Sequence, residues 1–248
     1  MLASRLLPAI TIAYHGVGRV DARDDTFDLV MPPEHLESQV RFLRRAGYRF
    51  LAAGELAGRR PARGTAVLTF DDGWQDALEI VAPLLGRLGV TATFFVNPGL
   101  WGAQHHTVAG PGGRLLDEDG VRALAAAGFE LGSHSMTHVD LRSLDDAALA
   151  RELVDSREAI SALTGKSCRV LAYPFGAHDA RVQRAARAAG YELAVAWLPG
   201  PWNKFAAPRL PGPTRHGASR LALKMTGVRR RKTLGPPPSP VPTTAAAV

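Results

Sequence analysis

The chain has 248 residues, 46% of them hydrophobic, a formal net charge of +7 and a single cysteine, Cys168. That length holds one large α/β domain or two small ones. One thiol excludes an intrachain disulfide, and no run is apolar enough over ~20 residues to span a bilayer.

Candidate strands and helices alternate along the chain. The apolar run Ala9 to His15 reads as a first strand rather than a leader, which sets the expectation of a cytoplasmic protein, with a place at the membrane periphery as the alternative. Pro33 to Ala46 follows as a helix, with Leu36, Val40 and Leu43 on one face and Gly47 as its stop. Further strands are expected at Tyr48–Leu51, Ala66–Phe70, Thr91–Val96, Phe129–Gly132, Val170–Tyr173 and Tyr191–Trp197. Helices are expected near Asp76–Leu88, Asp117–Ala127, Asp145–Leu163 and Asp179–Ala189. Between Pro98 and Arg114, five glycines and the pair His105-His106 mark a long loop. Strict alternation of this kind predicts parallel strands with crossover helices, either an α/β barrel or a doubly wound sheet.

Charge is distributed unevenly. No acidic residue follows Glu192, whereas nine basic ones do, from Lys204 to the Arg229-Arg230-Arg231-Lys232 cluster. That cluster is either a solvated tail or a region drawn to an anionic partner, such as a membrane surface or a pyrophosphate-linked, lipid-carried glycan. Without interleaved aromatics or a binding motif, nucleic acid is not an expected partner. Gly235 to Val248 is rich in proline and alanine, uncharged, and expected to be disordered.

Two segments carry the chemistry: Thr69-Phe70-Asp71-Asp72-Gly73 and His134-Ser135-Met136-Thr137-His138. They supply adjacent carboxylates and two imidazoles spaced i, i+4, which would share one face of a helix. Catalytic zinc sites use three protein ligands and keep a position open. Asp72, His134 and His138 can fill the three and leave Asp71 beside the metal. Zinc is the default, while cobalt, nickel and iron accept the same donors. Mid-strand neighbours point to opposite faces, so the two aspartates can converge only at a strand end, where Gly73 permits an abrupt turn. His15, Asp71-Asp72, His134, Pro174-Phe175 and Trp197 all fall at the C-terminal end of an expected strand, the rim where barrels of this kind build their chemistry.

The words around these residues resemble the NodB-like polysaccharide deacetylases, carbohydrate esterase family four. Thr69 to Gly73 matches their first motif letter for letter. His134 to His138 matches the second, preceded by Gly128-Phe129-Glu130-Leu131-Gly132-Ser133, and Ala172-Tyr173-Pro174-Phe175-Gly176 is similar to their groove-lining third. The resemblance runs from about Ile12 to Leu210. It implies a distorted, incomplete (β/α) barrel of about seven parallel strands over residues 1–228, with 229–248 as a basic and Pro/Ala-rich tail. It also implies removal of acetyl groups from an N-acetylated saccharide by water activated on a divalent metal. In that scheme Asp72, His134 and His138 hold the metal, Asp71 is the base, and the backbone N–H of Phe175 stabilises the oxyanion.

Departures from the pattern concern the remaining roles. The third-motif arginine that steadies the base aligns with Ala172. Arg209, in Ala207-Pro208-Arg209-Leu210, resembles a segment of a subgroup lacking that arginine and is expected to reach Asp71 instead. No aspartate can fill the fourth motif. Thr214-Arg215-His216 is the nearest match to the fifth, which makes His216 a candidate general acid and His15 its rival, for the acid or for substrate contact. Trp197 is either an apolar wall for the acetyl methyl or a core residue. Two alternatives accompany the N-deacetylase: a hydrolase of another amide or an O-acetyl ester, and a relic binding protein for glycans or membranes. The complete Asp71, Asp72, His134 and His138 set argues against the relic.

Overall fold

The computed structural model describes residues 7–21, 23–108, 110–197, 200–215 and 217–227. Eight strands form one all-parallel sheet: β1 (Ile10–Tyr14), β2 (Arg49–Leu51), β3 (Thr65–Phe70), β4 (Thr93–Val96), β5 (Glu130–Ser133), β6 (Val170–Ala172), β7 (Leu193–Val195) and β8 (Leu210–Pro211). Their order is β7-β6-β5-β4-β3-β1-β8, with β2 pairing β3 off that path. Strand β3 therefore divides one edge between two partners. Its first half pairs with β2, Arg49 opposite Thr65, and its last residues pair with β4, Phe70 opposite Phe94. That split distorts the barrel.

Closure on the other side is made by an extended segment. After β7 the chain forms a parallel bridge from Val195 to Ala207, then joins β1 as β8, with Leu210 opposite Ile12. Seven strands match the expected ones. The eighth, two residues long with Pro211 as its second, is too short to show periodicity.

Helices α1 (Pro33–Arg45), α2 (Ala82–Leu88), α3 (Glu118–Ala126), α4 (Asp146–Thr164) and α5 (Ala180–Ala188) are those expected, and α6 (Ala218–Gly227) is additional. Asp117, Asp145 and Asp179 cap α3, α4 and α5 by accepting the amides of Gly120, Ala148 and Val182, which leaves fewer orphan donors at those ends. The helix expected from Asp76 instead opens as a π-helical turn, Ala77–Val81, before α2. Pro83 has no N–H to donate to the preceding turn, so the regular ladder is broken there.

Because strand residues alternate, the sheet has two cores. Ala66, Leu68 and Phe70 face the helices, in a cluster with Leu36, Val40, Leu43, Leu149 and Leu153. Val67 faces the barrel interior with Phe95, Ala172, Leu193 and Val195. A 3-10 turn, Ala53–Leu56, packs into that interior cluster. The same parity directs Thr69 and Asp71 inward. All strands being parallel, their C-terminal ends share one rim. No helix among the described residues is long and apolar enough to cross a membrane.

Candidate active site

Five non-glycine residues have left-handed φ among the described residues: Asp28, Asp72, Ser135, His138 and Phe175. L-residues avoid this region, and four of the five lie where the two motifs and the third-motif segment meet. Asp72 (φ 71°) and Gly73 (φ 74°) turn the chain immediately after β3. Strand parity would send Asp72 to the helix side, and this turn brings it back beside Asp71. Strain thus resides at the candidate site, as is common for functional residues.

His134 and His138 do not share a helix, contrary to the expectation from their spacing. They lie in a loop after β5, folded by the left-handed Ser135 and His138. That loop is anchored from two sides. Glu152 on α4 accepts the amides of Met136 and Thr137 at 2.8 and 3.0 Å and the Thr137 hydroxyl at 2.6 Å. Buried Asn97, just after β4, donates to the carbonyls of His134 and Ser135.

Asp72 Oδ1 is 3.4 Å from both His134 Nε2 and His138 Nε2. That oxygen is buried without a hydrogen-bond partner, and a buried carboxylate oxygen left so is costly. His134 Nδ1 lies 2.8 Å from the Ala172 carbonyl. A carbonyl only accepts, so Nδ1 carries a proton, and Nε2 is the nitrogen left to offer a lone pair to a cation. Burial pushes the His138 imidazole down to about 3, which leaves that ring neutral. Three ligand atoms within 4.8 Å of one another, one of them an orphaned anion, fit a divalent cation.

The other Asp72 oxygen is held from the opposite side. Oδ2 accepts from Trp74 Nε1 at 3.2 Å and faces His105 Nε2 at 3.4 Å. His105 Nδ1 accepts the Thr107 amide at 3.3 Å, so its Nε2 bears the hydrogen pointing at the carboxylate. The His105 ring packs 4.4 Å from that of Trp74. Burial pushes the Asp72 carboxyl up, but the close imidazoles of His105, His134 and His138 outweigh it and hold it well below the ordinary range. For His134 burial acts downward, and the Asp71 and Asp72 carboxylates reverse it to a raised value.

Asp71 is gripped by Arg209. The guanidinium donates to both carboxylate oxygens, at 2.7 and 2.8 Å, and also to the Thr69 hydroxyl and the Ala196 carbonyl. Both side chains are essentially inaccessible. Arg209 thus enters from the segment closing the barrel, while Ala172 contributes only its carbonyl. Burial pushes Asp71 up; Arg209, then His134 and His15, overcome it and keep the carboxyl ionised.

Phe175 packs its ring 4.7 Å from that of His138. The turn's bonds from Gly176 N to Tyr173 O and from Ala177 N to Pro174 O leave the Phe175 amide outside them. His15 follows β1 directly, its ring 5.1 Å from that of Trp197. Burial lowers its affinity for a proton, opposed by Asp72 and Asp71. Trp197 is only partly buried and lines two cavities, one with His15 and one with Phe175 and His178. It is therefore a wall residue more than a core one. His216, the Arg229–Lys232 cluster and the tail expected beyond it lie outside the described residues. Asn97, His105, Glu152 and Trp74 were not singled out as site residues from sequence. For His105 the one available signal was a His-His pair in a glycine-rich loop.

A sequence model described as polysaccharide deacetylase matches residues 58–194. YxkH of Bacillus subtilis, provisionally assigned to the same class, is 26% identical over 69% of this chain and 60% of its own length. A chitin deacetylase of Pestalotiopsis is 29% identical over 52% of this chain and 40% of its own. The chain thus spans less than two thirds of these relatives. Among solved structures, the deacetylase PplD of Streptococcus pyogenes superposes with a TM-score of 0.75 at 20% identity, over 88% of this chain and 97% of that one. A polysaccharide deacetylase from Bacillus cereus gives 0.75 at 21%, over 88% and 68%. Those two likenesses speak for the fold. The family match covers more than half of the sequence and spans both motifs, and the chain belongs to the polysaccharide deacetylase family.

Proposed function

We propose that the protein is a divalent-metal-dependent hydrolase that removes acetyl groups from the nitrogen of an N-acetylated saccharide. The observation that carries this reading is the orphaned Asp72 oxygen facing two imidazole lone pairs, with an Arg-held carboxylate next to it. Asp72, His134 and His138 would hold the cation. When bound, it supplies Lewis-acid polarisation of the acyl carbonyl and acidifies the attacking water.

The chain's own groups do the rest. Asp71, kept ionised by Arg209, accepts the proton that the water loses as its oxygen bonds to the acetyl carbon. The free Phe175 amide donates to the oxygen that gains charge. Breaking the carbon–nitrogen bond needs a proton on the departing nitrogen, because an amide anion is a poor leaving group. His15 on the same rim gives that proton from its protonated form, which burial disfavours and the Asp72 and Asp71 carboxylates favour, and is reprotonated from solvent. Trp197 bounds the space for the acetyl methyl. Zinc is the expected metal, with cobalt, nickel or iron able to replace it.

The test is release of acetate and free amine from N-acetylglucosamine oligosaccharides by metal-stripped protein, with and without added zinc or cobalt. Release restored by metal is expected. Asp71→Asn should bind metal stoichiometrically yet lose about 10²- to 10⁴-fold in kcat. Release from O-acetyl but not N-acetyl sugars would shift the reading to an esterase. Failure to bind metal at all would overturn it.

A further inference from the structure

A cavity of about 360 Å³ adjoins the candidate active site behind His15 and Trp197, within the size range of small-ligand sites. Its composition differs from that of the catalytic rim. Arg215, Arg220 and Lys224 line it, against one carboxylate, Asp28. Asp28 is already engaged by Arg215 at 2.8 Å. Arg220 makes no ion pair among the described residues, and Lys224 Nζ donates only to the Pro211 carbonyl, at 3.0 Å.

The placement of these cations follows from the fold. Arg220 and Lys224 are four residues apart and so share one face of α6, while Leu221 anchors that helix in the core. The opposite lip, Pro211 to Arg215, is fixed from α1. Gln39 donates to the Pro213 carbonyl at 2.9 Å, and His35 Nδ1 to that of Thr214 at 3.0 Å. Burial and the neighbouring Arg220 both disfavour the charge on Lys224. An anion between the two would relieve that repulsion. The other lining residues include the aromatic Trp197 and Phe27, the latter 47% exposed. Aromatic faces beside a cationic pair suit a sugar ring bearing a compact negative group.

We propose that this cavity is a subsite for a phosphoryl group carried by the substrate, so that the acetylated saccharide is a phosphorylated or phosphodiester-linked one. The assignment rests on the deacetylase reading above for the word substrate, but the anion site itself does not depend on turnover. Arg220 and Lys224 hold the phosphoryl oxygens, and the ring leans on Trp197 beside His15. Two cations lining one cavity fit a phosphoryl group better than a carboxylate, which a single guanidinium fork satisfies.

The test is calorimetric binding of N-acetylglucosamine 1-phosphate and of neutral N-acetylglucosamine to the full chain and to Arg220→Gln/Lys224→Gln, at two salt concentrations. The phosphorylated sugar should bind about ten- to a hundredfold tighter, less so at high salt, and the double substitution should erase the difference. If Lys224→Gln disturbs folding through its Pro211 contact, Arg220→Gln alone, at an exposed position, should cost about tenfold. Equal binding of the two sugars overturns the proposal. So does binding of phosphatidylglycerol vesicles that depends on Arg220 and Lys224 without any preference between the sugars, which would assign the cations to lipid headgroups. Acetate release is measured in parallel. Phosphate-dependent binding with no release counts against the deacetylase reading and leaves the anion site standing.

Discussion

The stretch matched by the family model and the segments that flank it contribute different halves of the site. Residues 58–194 bring Asp71, Asp72, His134, His138 and Phe175, the groups suited to a cation and to an oxyanion. The flanks bring His15 from β1, Trp197 after β7 and Arg209 from the segment that closes the barrel, together with the cationic cavity. On the proposed reading, the middle would supply the groups that activate water and stabilise the oxyanion. The flanks would then set which acyl group is cleaved, from which leaving atom. A chain can therefore keep the central motifs and still diverge in substrate through its ends.

The two halves should separate most clearly by leaving group. An activated aryl acetate expels a stable phenolate and needs no proton on its leaving oxygen, whereas an N-acetyl sugar needs one on nitrogen. His15→Ala should lower kcat on the sugar by about 10²- to 10⁴-fold and spare most of the turnover of the aryl ester. Asp71→Asn should lower both. Equal losses for His15→Ala on the two substrates would remove it as the proton donor and leave it a contact residue.

A second cut runs through the ion pair that joins the halves. Arg209→Met leaves the Asp71 carboxylate buried and unpaired, which should cost about 3–5 kcal/mol of stability near neutral pH, read from denaturant or thermal unfolding. The sign follows from the pair. In the parent, Asp71 is held below its ordinary value, so the pair's contribution is present above the unfolded carboxylate pKa and is lost as pH falls through the folded one. Without Arg209, burial is opposed only by His134 and His15, and the carboxyl rises. The deficit of Arg209→Met should then shrink towards pH 4. Arg209→Lys keeps the charge but not the fork, and should fall between the two.

Within the central stretch, His105 offers a subtler test. It and Trp74 hold the second oxygen of Asp72, and outer groups of this kind typically alter metal affinity by about ten- to a hundredfold. His105→Phe preserves the stack on Trp74 and removes the polar contact. Zinc affinity, measured by competition with a chelator, should fall by that amount while the fold and the stoichiometry persist.

How much of this was legible beforehand depends on how local each signal is. Asp71-Asp72 and His134–His138 sit in contiguous words, so their residue types and strand-end positions could be read directly. Arg209 could be linked to Asp71 only through the resemblance of Pro208-Arg209 to a family segment, because 138 positions separate the partners. Asn97, Glu152 and His105 act through contacts that carry no sequence pattern. The spacing of His134 and His138 even pointed to the wrong local structure. Separation by four is as easily met by a loop with two left-handed residues as by a helix. The barrel was legible from its alternation, whereas β8 is too short to alternate and α6 falls in a stretch whose charge, not its periodicity, drew notice.

The most narrowly pH-dependent effect lies at Asp76, where the central stretch meets the β1 flank. Its Oδ2 accepts the Val17 amide at 2.9 Å, two residues beyond His15, and its Oδ1 is buried without a partner. Burial pushes this carboxyl up to about 8, so it is protonated at neutral pH in the folded chain and ionised in the unfolded one. A group raised by folding contributes stability below its unfolded pKa, ~3.9, and loses that contribution as pH rises towards the folded value. Asp76→Asn imitates the protonated acid, keeps an acceptor for Val17 and removes the titration. The substitution should leave the melting temperature nearly unchanged near pH 4 and raise it increasingly towards pH 8, flattening the decline in between. If the two proteins instead lose stability in parallel over that range, Asp76 is ionised in the fold, and the join between β1 and the central stretch is made by a charged carboxylate.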